Sequence, residues 1–131
     1  MIMKGKSKYS SGAPWEEIVG YSRAVRAGKL IEVTGTIAID GEGNTLGTGD
    51  PYVQTVEIIR IAERILQEAG ASLQDVIRTR IFVTDIGQWE AVAQAHREFF
   101  GEIKPATTMV EVSALIRPEA LVEIEFTAVV D

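Results

Sequence analysis

The chain has 131 residues, with 13 basic and 19 acidic side chains and a formal net charge of −6. That length suits one domain, and a mean hydropathy of +0.09 excludes a mainly disordered chain, which requires low hydrophobicity. There is no cysteine, so disulfide frameworks, thiol catalysis, Cys-ligated zinc and iron–sulfur clusters are excluded. No apolar run approaches the ~18 residues of a membrane-spanning helix. The start, Met1-Ile2-Met3-Lys4-Gly5-Lys6, lacks the apolar core of a secretion signal. A cytoplasmic protein with no membrane partner is expected. The acidic balance argues against a broad phosphate-binding surface, and so against nucleic acid. The apolar content suggests that part of it serves a subunit interface.

Residues 1–14 are polar and read as a flexible N-terminal segment. Lys4, Lys6 and Lys8 make only a weak footprint for a nucleic-acid-binding arm. The domain proper is expected over 15–131. Two strands, over 21–26 and 29–36, flank Ala27-Gly28 as a hairpin, because Gly28 supplies the positive φ of a tight turn. Ile31 and Val33 alternate with Glu32 and Thr34, the period of a strand with one buried face. Residues 37–39 extend it, and 40–44 form a Gly/Asp/Asn-rich loop.

Asp50-Pro51 starts a helix, with Asp50 as cap and Pro51 in the first turn. Apolar residues at Ile58, Ala62, Ile65 and Ala69 mark its buried face, and Gly70 ends it. A strand is predicted over 76–84 and a second helix over 86–100, with Trp89, Val92, Ala93, His96, Phe99 and Phe100 on one stripe. Two further strands, over 106–115 and 121–130, are separated by a turn around Arg117-Pro118-Glu119. The order predicts an α+β sandwich: a mostly antiparallel sheet, a hairpin at each end, and both helices on one face. The opposite face is expected to carry Glu32, Thr34, Thr36, Glu111, Glu123 and Glu125, with Met109 and Val129.

Several familiar patterns fail. The stretch Gly41-Glu42-Gly43-Asn44-Thr45-Leu46-Gly47 is one residue too long for a dinucleotide fingerprint and does not open a helix. His96-Arg97-Glu98 has the spacing of zinc deaminases but lacks their cysteine ligands. As the single histidine, His96 reads as a packed residue, and no metal site is expected. No Gly-x-Ser-x-Gly elbow is present. Carboxylates on strands remain. Glu111, Glu123 and Glu125 are expected to crowd one sheet face, where proximity and desolvation raise a pKa and equip a carboxyl to activate water. Alternatively, they pair with Arg78 and Arg80.

The stretches Gly20-Tyr21-Ser22, Val33-Thr34-Gly35-Thr36, Ala69-Gly70-Ala71-Ser72-Leu73, Val83-Thr84-Asp85 and Phe99-Phe100 resemble the RidA/YjgF superfamily. Stronger still is Pro105-Ala106-Thr107-Thr108-Met109-Val110-Glu111-Val112 followed by Val122-Glu123-Ile124-Glu125. The resemblance runs from about residue 16 to the end. It implies a chorismate-mutase-like fold and a homotrimer around a central barrel, with small-molecule ligands bound in the clefts between subunits. It also implies cofactor-free hydrolysis of reactive imines and enamines.

By the same resemblance Glu123 matches the proton-handling acid, Tyr21 the cleft tyrosine and Gly35 the cleft glycine. The arginine that grips the substrate carboxylate in deaminating members is here Thr107, next to Thr108 and Met109 as further candidate binding residues. A hydroxyl does not replace that charge, so the cleft is expected to lack its cationic clamp. Arg23, Arg78, Arg80 and Arg117 are the cations in reach by sequence. Three functions follow from the resemblance: an imine or enamine deaminase, a non-catalytic trimeric metabolite-binding protein, or an endoribonuclease or translation inhibitor. The negative charge disfavours the last.

Overall fold

The structure is a computed structural model describing residues 2, 3 and 5–131; Lys4, part of the proposed basic arm, lies outside the described residues. The strands are β1 (Ile2–Met3), β2 (Lys6–Tyr9), β3 (Ala24–Ala27), β4 (Leu30–Thr36), β5 (Val76–Val83), β6 (Ala106–Glu111) and β7 (Val122–Val129). The long helices are α1 (Pro51–Glu68) and α2 (Trp89–Phe100). Among the described residues the strands form one sheet in the order β1-β2-β3-β4-β7-β5-β6. Every pair is antiparallel except β5 with β6.

Local chemistry explains the elements. Gly28, with a φ of 61°, closes the β3–β4 turn. Asp50 accepts from the Val53 amide at 3.1 Å and Pro51 stands in the first turn of α1, as its missing donor allows. Ile58, Ile59, Ala62, Ile65 and Leu66 of α1 are buried against the β4 and β7 side of the sheet. Each large aliphatic side chain so covered contributes about 1.5–3 kcal/mol. α2 packs on α1 and meets the same sheet face, since Phe100 lies 6.4 Å from Phe126 by ring centroids.

The structure corrects four expectations. Lys6–Tyr9, read as part of a segment without elements, form a strand in register with β3. The C-terminal pair is no hairpin: β5 lies between β6 and β7, and β6 runs parallel to β5. A parallel partner requires a crossover, and α2 supplies it. Thr107, Met109 and Glu111 therefore match Thr79, Ile81 and Val83 on the helix-bearing side. This removes Met109 and Glu111 from the outer face, and Met109 packs against the core instead. Finally, Trp89 is 51% exposed, because a 3₁₀ turn over Ile86–Gln88 replaces the predicted first turn of α2.

Candidate functional site

Register brings Glu123 and Gly35 together. β4 meets β7 through Val33 opposite Phe126 and Thr36 opposite Ile124, so Thr34 and Gly35 share the span facing Glu125. This is a β-bulge, which turns the following side chain to the other face. Thr36 is thereby buried on the core side, contrary to its expected place, and its Oγ1 donates to the Thr34 carbonyl at 2.8 Å. Gly35 is left under the Glu123 side chain. A Cβ on Gly35 would lie 2.1 Å from Glu123 Oε2, so only glycine leaves room for the carboxyl there.

Glu123 and Gly35 line a cavity of about 870 Å³ that also exposes Tyr21, Arg23, Trp15 and Arg117. Burial pushes the Glu123 carboxyl above its ordinary value, Arg23 partly offsets that, and Glu125 raises it further. Glu125 itself forms an ion pair with Arg80 at 3.6 Å, one of the alternative pairings expected for the strand glutamates. Glu111 is level with Val122 across Val83 but lies on the opposite sheet face, where it accepts from the Ile86 amide at 3.0 Å.

The cavity rim is built from the segment before the first turn. Glu16 is buried and accepts from Ser10 Oγ at 2.7 Å, the Ser11 amide at 3.1 Å and Ser11 Oγ at 2.5 Å. Burial alone would raise its pKa, but these hydrogen bonds, with Arg23 adding to them, hold it below the ordinary value. Trp15 is held by the Arg117 guanidinium 5.5 Å above its ring. Arg117 Nη1 also donates to Gly43 O at 2.5 Å and to Thr45 Oγ1 at 3.3 Å.

Two of the four arginines in reach by sequence, Arg23 and Arg117, line the cavity, while position 107 carries no cation. Arg23 is only 7% exposed; its Nη2 donates to the Gly35 carbonyl at 3.0 Å, and its Nε is buried without a partner. Its guanidinium also stands 5.8 Å from the centre of the Tyr21 ring. Sequence reasoning missed this burial because a charged residue in an alternating strand reads as solvent-facing; its place beside Tyr21 was the available signal.

Tyr21, Gly35 and Glu123 thus come together, whereas Thr107, Thr108 and Met109 stand on the edge strand β6 outside the cavity walls. Thr108 Oγ1 accepts from Arg78 Nη2 at 2.8 Å. Thr107 Oγ1 lies 2.8 Å from Thr79 Oγ1 and 3.1 Å from the Pro105 carbonyl, and Thr79 Oγ1 lies 2.9 Å from His96 Nε2. One arrangement satisfies all three contacts. Pro105 O only accepts, so it takes the Thr107 proton; Thr79 then donates to Thr107, and His96 donates to Thr79 from a protonated Nε2. Burial lowers the His96 pKa, and its ring lies 4.7 Å from that of Phe100, tilted by 34°. Among the described residues no cluster of three or more His, Asp or Glu side chains could hold a metal, and no helix is long and apolar enough to cross a membrane.

The family model described as Endoribonuclease L-PSP matches residues 12–130. Rv2704 of Mycobacterium tuberculosis, a member of the YjgF/YER057c/UK114 family, is 49% identical; the match covers 95% of this chain and 99% of that one, with a TM-score of 0.86. The Yersinia pestis Rid-family protein YyfA is 34% identical over 95% and 99% of the two chains, with a TM-score of 0.84. An Acinetobacter baylyi relative named 3-aminoacrylate deaminase RutC is 34% identical over 82% of this chain and 85% of its own length. With that coverage and those identities, the chain belongs to the YjgF/RidA family described as Endoribonuclease L-PSP.

Proposed function

We propose that the protein is a cofactor-free hydrolase of small imines or enamines, with Glu123 as the group that activates water. The observation that carries this reading is the Glu123 carboxyl, seated over Gly35, raised in pKa by burial, and open to a cavity shared with Tyr21. A carboxylate so placed takes a proton from water as the oxygen attacks the C=N carbon, giving a carbinolamine. With the imine protonated, the carboxyl then returns that proton to the carbinolamine nitrogen. It accepts the hydroxyl proton as the C–N bond breaks, so that ammonia leaves and a carbonyl remains. An enamine enters after tautomerising to its imine. A deaminase name borne by a relative of 34% identity supports the reaction class.

The working assembly in this proposal is a homotrimer around a central barrel. Its support is the exposure of β6, where Thr107, Thr108 and Val110 are uncovered in the single chain, together with Leu30 and Val129 exposed on the outer sheet face. Docked against a neighbour, β6 would bring Thr107, Thr108 and Met109 to the mouth of an adjoining cavity as substrate-contacting residues. Cleavage of RNA is not favoured, since the net charge is −6 and the cavity walls include Asp40, Glu42, Glu68 and Glu123. A trimeric metabolite-binding protein without catalysis is the second reading, supported by the absence of a cation at Thr107.

The deciding assay releases 2-aminoacrylate from a coupled enzyme and follows keto-acid formation, beside a panel of neutral imines. Acceleration that disappears in Glu123→Gln supports the hydrolase. No acceleration with any compound, while a metabolite stabilises the protein and is recovered unchanged, establishes the binding protein instead.

A further inference from the structure

Two charged side chains are committed to fixing one irregular segment. Residues 10–13 are irregular backbone between β2 and the helical turn that ends at Gly20, the kind of connection that is ordinarily mobile. Here the buried Glu16 carboxylate ties down Ser10 and Ser11, and the Glu16 carbonyl accepts from the Tyr21 amide at 3.0 Å. From the other side Arg117 stands 5.5 Å from the centre of the Trp15 ring and joins it to Gly43 and Thr45. The side chain so held is Trp15, half-buried on the cavity wall. A binding site fixes its contact residues in this way, through a supporting shell of hydrogen bonds and packing.

The wall shared with Trp15 includes Ile39, Ile61, Ile65 and Ile116. Ile116 is 60% exposed, so a large apolar side chain borders the cavity instead of joining the core. Asp40, from the same lining, is engaged by its own loop, accepting from the Glu42 and Asn44 amides at 2.9 Å each. The other charges there, Glu42, Arg64 and Glu68, are exposed and keep their water. A volume of about 870 Å³ lies within the range of sites that enclose drug-sized ligands, far beyond what a three-carbon imine fills.

We propose that Trp15, with Ile39 and Ile116, forms a subsite for a bulky apolar or aromatic substituent, so that the compound hydrolysed carries such a group beside its C=N bond. This rests on the hydrolase reading for the reaction, but the subsite is testable without turnover. The indole offers a large face whose ordering is already complete in the free protein. Covering it together with Ile116 removes apolar surface from water. The substituent's burial then holds the C=N carbon in the cavity that Glu123 also lines, which is how binding remote from the reacting atoms serves the reaction.

The probes are two stable, uncharged carbonyl compounds of the product class, 4-phenyl-2-butanone and 2-butanone, titrated into the full chain. The readout is the NMR signal of each tryptophan indole N–H, assigned with Trp89→Phe. Trp89 lies outside the cavity walls and serves as the internal control. The phenyl ketone is expected to move the Trp15 signal and leave that of Trp89 in place, binding at least about tenfold more tightly than 2-butanone. Trp15→Ala should weaken the phenyl ketone about tenfold or more, and Trp15→Phe should restore most of the loss. For turnover, imines released by an amino-acid oxidase from phenylalanine and from alanine differ only in the side chain. The ratio of their kcat/KM values should favour phenylalanine about tenfold or more and fall toward one in Trp15→Ala.

Should Trp15→Ala fail to fold, the comparison of the two ketones on the unaltered protein still decides the matter. Equal binding of the two, a phenyl ketone that leaves the Trp15 signal unmoved, or unchanged binding in folded Trp15→Ala overturns the subsite. Trp15-dependent binding without turnover of any imine upholds the subsite and overturns the hydrolase reading. Turnover with no preference between the phenylalanine and alanine imines upholds the hydrolase and overturns Trp15 as a determinant of specificity.

Discussion

Replacing Gly35 by alanine separates the fold from the chemistry. The new Cβ would meet Glu123 Oε2 at 2.1 Å, Cδ at 3.0 Å and Cγ at 3.4 Å. The carboxyl therefore has to retreat by more than about 1 Å, a misplacement able to cost about a hundredfold in rate. The obstacle is the far end of a flexible side chain, so relief costs only about 0.5–1.5 kcal/mol of rotamer strain. Gly35 has no positive φ, and alanine recovers about 0.4–1 kcal/mol by restricting the unfolded chain. Net stability should change by less than about 1 kcal/mol in urea unfolding, while kcat/KM falls about as far as in Glu123→Gln. The double variant should be no slower than either single one, because both disable the same group. NMR titration of a labelled Glu123 gives a readout independent of turnover: freed from its seat, the carboxyl should titrate closer to the ordinary 4.5. Gly35→Ala with full activity, or with Glu123 titrating as in the parent, refutes the placement of that carboxyl.

Glu123 also sets a pH dependence of stability: its folded pKa is raised, so the folded state binds more protons than the unfolded one above pH about 4.5. Stability should therefore fall as pH rises from there through the folded pKa, and urea unfolding of Glu123→Gln should lack that decline. The pH–rate profile should show its acid limb at higher pH than an ordinary carboxylate gives, since the base must be ionised. Gln54 is fully buried and joins two loops, donating from Nε2 to Gly47 O at 3.2 Å and Glu119 O at 3.0 Å and accepting from the Leu121 amide at 2.9 Å. Gln54→Leu should cost about 2–4 kcal/mol by denaturant titration, as buried backbone groups lose their partners. Light scattering should return the mass of three chains, and a charge introduced by Val110→Lys on exposed β6 should shift it toward one chain without unfolding the protein.

The elements were legible wherever period and punctuation agreed. Asp50-Pro51 and Gly70 bracket α1, and Ile31, Val33, Ile124 and Phe126 alternate as a one-faced sheet requires. Strand order was less legible, because alternation gives a buried face and says nothing of which strand lies beside which. The alternation over 106–111 is compatible with either side of β5, and only the crossover through α2 sets the parallel register. That register turns Met109 toward the core and leaves Glu111 exposed on the helix-bearing side. Thr36 was misassigned for a related reason: a bulge inserts one residue, and a strict period of two then points every later side chain the wrong way. Glycine at position 35 is the one trace of that bulge in the sequence. Gln54 was not legible at all, and the burial of Arg23 only through its place near Tyr21, since burial of a polar side chain depends on distant partners, Gly47 and Glu119 for the one and Gly35 for the other.

The same bulge shapes the candidate site. A side chain at position 35 would occupy the space where the Glu123 carboxyl now lies. The extra residue instead offers a bare glycine for the carboxyl to cover and a carbonyl for Arg23 to hold. Both are consequences of one backbone irregularity, so the acid and the cation are positioned by a common feature. Thr107 is independent of it, tied through Thr79 to His96 on the helix side of the sheet. If catalysis in this chain depended on position 107, disrupting that hydroxyl chain with Thr79→Val would reduce hydrolysis strongly. With Glu123 as the working group, Thr79→Val should instead leave kcat/KM within about threefold. Its cost should be confined to stability, about 1–2 kcal/mol for the hydrogen bonds lost by Thr107 and His96, measured by urea unfolding. A loss of a hundredfold in rate at unchanged stability would move the chemistry to β6 and away from the bulge.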